Sequence, residues 1–108
     1  MHGFGLYSYP DGSDFMGEFQ EGMKVHGKYR YADGDIFIGE FKDGLKLNGV
    51  FIYQDGREFR GDFEQGMRKC GTMKFPNGDV FNGTYDEDGL MFEGVMAYAN
   101  GDVYSGIF

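Results

Sequence analysis

The 108-residue sequence predicts an all-β protein: an elongated, single-layer antiparallel meander of about five stacked β-hairpins with no helix. Two observations carry this. Nineteen of the 20 glycines recur on a period of 22 residues, which becomes 23 in the fourth copy. The aromatic residues follow the same period at internal spacings of two, the periodicity of a β-strand. The whole chain reads as one repeat array, with hairpin units at about 4–19, 26–41, 48–63, 70–85 and 93–108.

In the first unit Gly5, Tyr7 and Tyr9 share one face of a strand while Leu6, Ser8 and Pro10 share the other. Phe15, Gly17 and Phe19 alternate in the same way with Met16 and Glu18. Between them lies Asp11-Gly12, a dipeptide suited to the positive φ angles of a tight hairpin turn. The turn recurs as Asp33-Gly34, Asp55-Gly56, Asn77-Gly78 and Asn100-Gly101. Eighteen of the 20 Phe and Tyr rings keep register through all units, with Met73 and Met96 filling the two vacant ring positions. Glycine at the centre of each strand's ring face is expected to let rings lie flat over the backbone. Two strands per unit at ~4.8 Å each give a rod on the order of 50 Å.

The hairpins are joined by 20–26, 42–48, 64–70 and 86–93. After the turn glycine of each joint stands Met23, Leu45, Met67 or Leu90, which predicts a thin apolar spine along one side of the array. The fourth joint, Asp86-Glu87-Asp88-Gly89, carries one extra residue. Its carboxylates offer oxygens to a cation but lack the ligand spacing of a calcium-binding helix–loop–helix, so a solvated turn is the better reading.

Composition narrows the function. Ten Lys plus Arg against 18 Asp plus Glu give a net charge of −8, which repels phosphate backbones and argues against nucleic acid. A single cysteine, Cys70, permits no internal disulfide; with no recognisable secretory signal the expectation is an intracellular, cytoplasmic protein. No stretch is apolar enough for a membrane span. His2 lies near a terminus, His26 and Cys70 sit in equivalent connector positions at least a repeat apart, Glu18 and Glu40 lie on outward faces, and no phosphate loop or zinc spacing occurs, so neither catalytic nor metal-binding residues nor a cofactor are expected.

From end to end, the run of ring, glycine, ring and turn glycine resembles the MORN repeat; His2-Gly3-Phe4-Gly5-Leu6-Tyr7-Ser8-Tyr9-Pro10-Asp11-Gly12 is close to an ideal copy. Later units place Val25, Leu47, Lys69 and Phe92 where the family has the first of its two glycines. The resemblance implies a twisted rod whose rings line a continuous trough. Tyr7, Tyr29, Phe51, Met73 and Met96 form one row and Tyr9, Tyr31, Tyr53, Phe75 and Tyr98 the next; the partner-contacting candidates are Tyr7, Tyr9, Tyr29, Tyr31, Phe51, Tyr53, Phe75 and Tyr98. The opposite face mixes Lys28, Arg30, Arg60, Lys74, Glu18, Glu40 and Asp62 with Ile38, Val50, Ile52, Val95 and Ile107.

These features predict a non-enzymatic scaffold that binds a peptide or helix of a protein partner in the trough; the resemblance implies a place at cytoskeletal or membrane-associated structures. The array carries full repeat pattern to both of its ends, which predicts either self-association as a homodimer or longer array, or further chain that covers them. Two other readings stand beside the scaffold. A phosphoinositide or membrane-surface module is implied by the family but disfavoured by the net charge of −8 and the lack of any dense basic cluster. An accessory repeat region of a larger enzyme is the other.

Overall fold

The computed structural model describes residues 3–108, so His2 lies outside the described residues. They form one open sheet of ten antiparallel strands in sequential order, with no helix among the described residues. The strands are β1 (Gly3–Ser8), β2 (Asp14–Gln20), β3 (Met23–Arg30), β4 (Ile36–Lys42), β5 (Leu45–Ile52), β6 (Glu58–Glu64), β7 (Met67–Lys74), β8 (Val80–Tyr85), β9 (Met91–Ala97) and β10 (Val103–Ile107). The array measures 49 × 23 × 19 Å, and its long dimension matches the expected rod.

One row of paired residues sets the register. Gly5, Gly17, Gly27, Gly39, Gly49, Gly61, Gly71, Gly83, Gly94 and Gly106 lie opposite one another across all ten strands. The strands come so close here that a Cβ on Gly39 would stand 2.2 Å from the Asn48 carbonyl oxygen and 2.9 Å from Cζ of Phe37. The ring of Phe37 thus lies over bare backbone, as the sequence predicts. Gly49, its partner, has φ +148°, outside the range of ordinary L-residues.

The two kinds of turn are distributed differently from the expectation. Within each hairpin the Asp-Gly or Asn-Gly pair does not form a two-residue turn. Gly12 N donates to Tyr9 O at 3.1 Å and Tyr9 N to Ser13 O at 2.8 Å, closing a three-residue loop in which only the glycine has positive φ. The tight two-residue turn instead occurs at the joints, where Glu21 (φ 52°) and Gly22 (φ 81°) both have positive φ, as do Asp43-Gly44 and Gln65-Gly66. The fourth joint explains its extra residue: Gly89 N donates to Asp86 O at 2.9 Å and Asp86 N to Leu90 O at 2.8 Å, the loop type used inside the hairpins. Oδ1 of Asp86 accepts from the amides of Asp88 and Leu90 at 2.9 and 3.0 Å, so this carboxylate is engaged in stabilising the turn.

Val25, Leu47, Lys69 and Phe92 also find their role. Each is the extra residue of a β-bulge: Glu18 pairs with His26 and Phe19 with Lys24, leaving Val25 unpaired, and the pattern repeats at the other three joints. The spine beside the bulges is present and exposed. The methyl of Met23 reaches toward Gly44, Leu45 toward Gly66 and Met67 toward Gly89.

Candidate functional site

The core is built on one face only. Phe15, Phe37, Phe59 and Phe81, one on each even-numbered strand from β2 to β8, are fully buried. Each meets the second ring of its own strand and that of the next unit edge-to-face. Phe15 contacts Phe19 at 5.2 Å and Phe41 at 5.6 Å; Phe37 contacts Phe41 and Phe63; Phe59 contacts Phe63 and Tyr85; Phe81 contacts Tyr85 and Phe108. The result is an unbroken zigzag of rings in the geometry that the aromatic quadrupole favours.

Above this floor, in the hairpin strands and loops, stand the candidate contact residues. Tyr9 stacks on Tyr29 at 5.9 Å, Tyr29 meets Tyr31 at 4.5 Å, Tyr31 meets Phe51 at 5.5 Å, and Phe51 meets Tyr53 at 4.6 Å. Tyr7 packs edge-on against Phe19 at 4.7 Å. Phe75 is half-buried and Tyr98 is 39 % exposed, so the second row remains open to solvent along the array. In the first row Tyr7 and Tyr29 are half-buried, but Phe51, Met73 and Met96 are buried at 8 %, 1 % and 6 % exposure. Phe51, a candidate contact residue, is buried against the rings of Tyr31 and Tyr53 and beneath the Lys46 side chain.

Those neighbours include a feature the sequence reading did not single out. In three of the four joints the residue after the spine is basic, and its side chain crosses the rings. Lys24 Nζ lies 5.4 to 5.7 Å from the rings of Tyr9, Phe15 and Tyr29, and Lys46 Nζ lies 5.4 to 5.8 Å from those of Tyr31, Phe51 and Phe63. The Arg68 guanidinium lies 4.7 Å from the Tyr85 ring. Met91 takes the position in the last unit. A basic residue following Met or Leu at Lys24, Lys46 and Arg68 is the signal that marks this row.

Burial by these contacts tunes the polar groups. It pushes the Tyr31 phenol up to about 12, with Tyr29 and the Asp35 and Asp33 carboxylates adding to the shift. It raises Tyr53 against the pull of Arg68 and Arg57, and lowers the Lys46 ammonium. Beside this row the trough opens into a concavity of about 330 Å³ lined by Lys46, Phe51, Tyr53, Phe63, Arg68 and Leu90, among others.

The opposite face carries ion pairs between exposed apolar residues. His26 Nε2 is 2.7 Å from Glu18, Arg30 holds Asp14 through two bonds at 3.0 and 2.6 Å, and the Cys70 thiol donates to Asp62 at 3.6 Å. Burial, more than the neighbouring Asp62 carboxylate, raises the Cys70 thiol. Met16, Ile38, Ile52 and Val95 are exposed among them. Among the described residues no three His, Cys, Asp or Glu side chains gather as a metal site would require.

A family model for the MORN repeat matches residues 1–14, 15–36 and 70–80. These three matches support a MORN-repeat protein. The matched segments lie in the first, second and fourth hairpins, and the same ring and glycine geometry recurs in the unmatched β5–β6 pair, with a bulge in the pairing on either side of it. No curated protein sequence matches the chain. MORN repeats are generally associated with protein or membrane interaction and are typically non-enzymatic modules.

Proposed function

We propose that this MORN-repeat array is a non-enzymatic interaction scaffold that lays a segment of a partner protein along its trough and associates with further copies of itself. One observation carries the reading: a ladder of half-buried Tyr rings, Tyr9 to Tyr53, stays accessible above a floor of fully buried Phe and is crossed by Lys24, Lys46 and Arg68. Rigid rings bury large area with little loss of side-chain freedom, which is what a binding groove needs. The basic row gives the trough a local positive charge in a chain of net charge −8, so an acidic or amphipathic protein segment suits it better than an anionic bilayer. A cytoplasmic place at cytoskeletal or membrane-associated structures fits such a scaffold.

Replacing Tyr31 and Tyr53 together by Ala tests it. The buried Phe floor is untouched, so circular dichroism retains its sheet signal while capture of a stoichiometric partner from native lysate is lost. Unchanged capture by a folded double variant overturns the trough as the binding surface.

A further inference from the structure

At the second-ring position the trough is uniform except at one place. The second-ring position of the even strands holds Phe19, Phe41, Phe63, Tyr85 and Phe108, so only the fourth unit carries a hydroxyl there. Tyr85 is 8 % exposed, and its Oη has no hydrogen-bond partner among the described residues. Phe fills the same position in the other units, so packing has no use for that oxygen, and a buried hydroxyl left unpaired is destabilising.

Two guanidiniums converge beside it. Arg68 Cζ lies 4.7 Å from the Tyr85 ring and 5.7 Å from the Tyr53 ring, and Arg57 Cζ lies 4.4 Å from the Tyr53 ring. Arg57, Arg68 and Tyr85 line one cleft of about 160 Å³, with Phe75 and Met91 among its apolar walls. Arg68 Nη2 is fixed by the Gly89 carbonyl at 2.8 Å and Arg57 Nε by Asp55 at 2.8 Å; each guanidinium has five N–H donors, so both keep donors to offer. The cleft therefore sets two guanidiniums, one of them paired with Asp55, beside a buried and unpaired phenol, and its natural complement is a group that only accepts and carries negative charge. A planar carboxylate fits that demand. A phosphate dianion, with twice the charge, fits less well, since Asp86 and Glu87 line an adjoining concavity that Arg68 and Tyr85 also line, and the chain is already strongly acidic.

We propose that the Arg57–Arg68–Tyr85 cleft is a carboxylate subsite, which seats a Glu or Asp side chain or the C-terminal carboxylate of a peptide lying in the trough. The peptide part of this statement rests on the scaffold reading above.

The test uses the full chain with ring-labelled tyrosines, followed by NMR. The probes are sodium acetate, sodium phosphate and sodium chloride at matched ionic strength. Beside them go an end-capped octapeptide with one glutamate between two phenylalanines, its Gln counterpart, and that counterpart with a free C-terminus. Acetate shifts the Tyr85 ring signal saturably and chloride does not. The Glu peptide binds about tenfold tighter than the Gln peptide, in line with a charge-assisted hydrogen bond. Y85F and R68Q abolish that preference, Y85F leaving the fold intact because Phe is the residue of the equivalent positions. A free-terminus peptide that outbinds the Glu peptide assigns the carboxylate to a chain end. Equal binding of Glu and Gln peptides with shifts confined to Tyr9 and Tyr31 overturns the subsite and leaves the trough standing. An acetate response without peptide binding keeps the subsite and overturns the trough. A Tyr85 signal that ignores acetate, or phosphate binding tighter than acetate, refutes the carboxylate assignment.

Discussion

The glycine row makes a quantitative claim on stability. In Gly39→Ala the new methyl would stand 2.2 Å from the Asn48 carbonyl oxygen, 2.7 Å from Gly49 Cα and 2.9 Å from Phe37 Cζ. Two of the three obstacles are backbone, so the β4–β5 pair must open by roughly 1 Å to restore ordinary contact, and the fully buried Phe37 ring must lift. Overpacking alone costs about 1–3 kcal/mol and partial loss of a buried Phe adds to it, so about 3 kcal/mol is expected, a large part of a small domain's total. Gly101→Ala is the matched control: nothing lies within 4 Å of its added methyl, but φ is +97°, so only backbone strain of about 1–2 kcal/mol applies. Urea unfolding of both variants, monitored by tyrosine fluorescence, measures the difference. A Gly39→Ala loss below about 1 kcal/mol, or one no larger than that of Gly101→Ala, would show that close strand approach is not what the row provides.

Other expectations follow from the turns, the rings and the cations. Tyr31 and Tyr85 have phenols pushed up to about 12 by burial from an ordinary value of 10.0, so the neutral form favours folding; that stability is complete below pH 10 and is lost as pH rises toward 12. Absorbance at alkaline pH should show these two ionising late, together with loss of the sheet signal, and early ionisation in a folded chain would contradict it. Tyr85→Phe removes the unpaired hydroxyl and should raise stability by about 1 kcal/mol in the same urea assay. Deleting Glu87 shortens the fourth joint to the two-residue form of the other three, and a change of more than about 2 kcal/mol in chemical denaturation would show that the longer loop sets the register. Lys46→Met copies the residue at the position of Met91, so a thermal melt should move little while acidic-peptide binding weakens at low salt.

The strands, the glycine row and the spine were legible because period two and period 22 are direct consequences of pleat and repeat. The turn chemistry was half legible. Asp-Gly marks a turn, but whether one or both residues take positive φ depends on loop length and on the strand hydrogen bonds at its ends, as Tyr9 and Ser13 show. The departures at Val25, Leu47, Lys69 and Phe92 carried no visible meaning because a bulge is a relation between two strands, not a property of one. The eight ring candidates were assembled on one face, yet Phe51 was not separable from Tyr53 by alternation alone, since depth depends on how neighbouring units close over it. Lys24, Lys46 and Arg68 were hidden for the opposite reason: a long basic side chain in a joint reads as solvent-facing until its stem is seen to cross a ring.

The shared rings bear on how such a rod yields under tension. The strands run across the long axis, so their hydrogen bonds point along it, and a pull at the two outermost strands peels rungs one after another instead of shearing them together. Because Phe15 grips Phe41 and Phe37 grips Phe63, each hairpin that lets go strips a ring from the one behind it. A released 22-residue unit lengthens from about 10 Å of rod to about 75 Å of chain, which would make the array a stepwise extensible tether between whatever it joins.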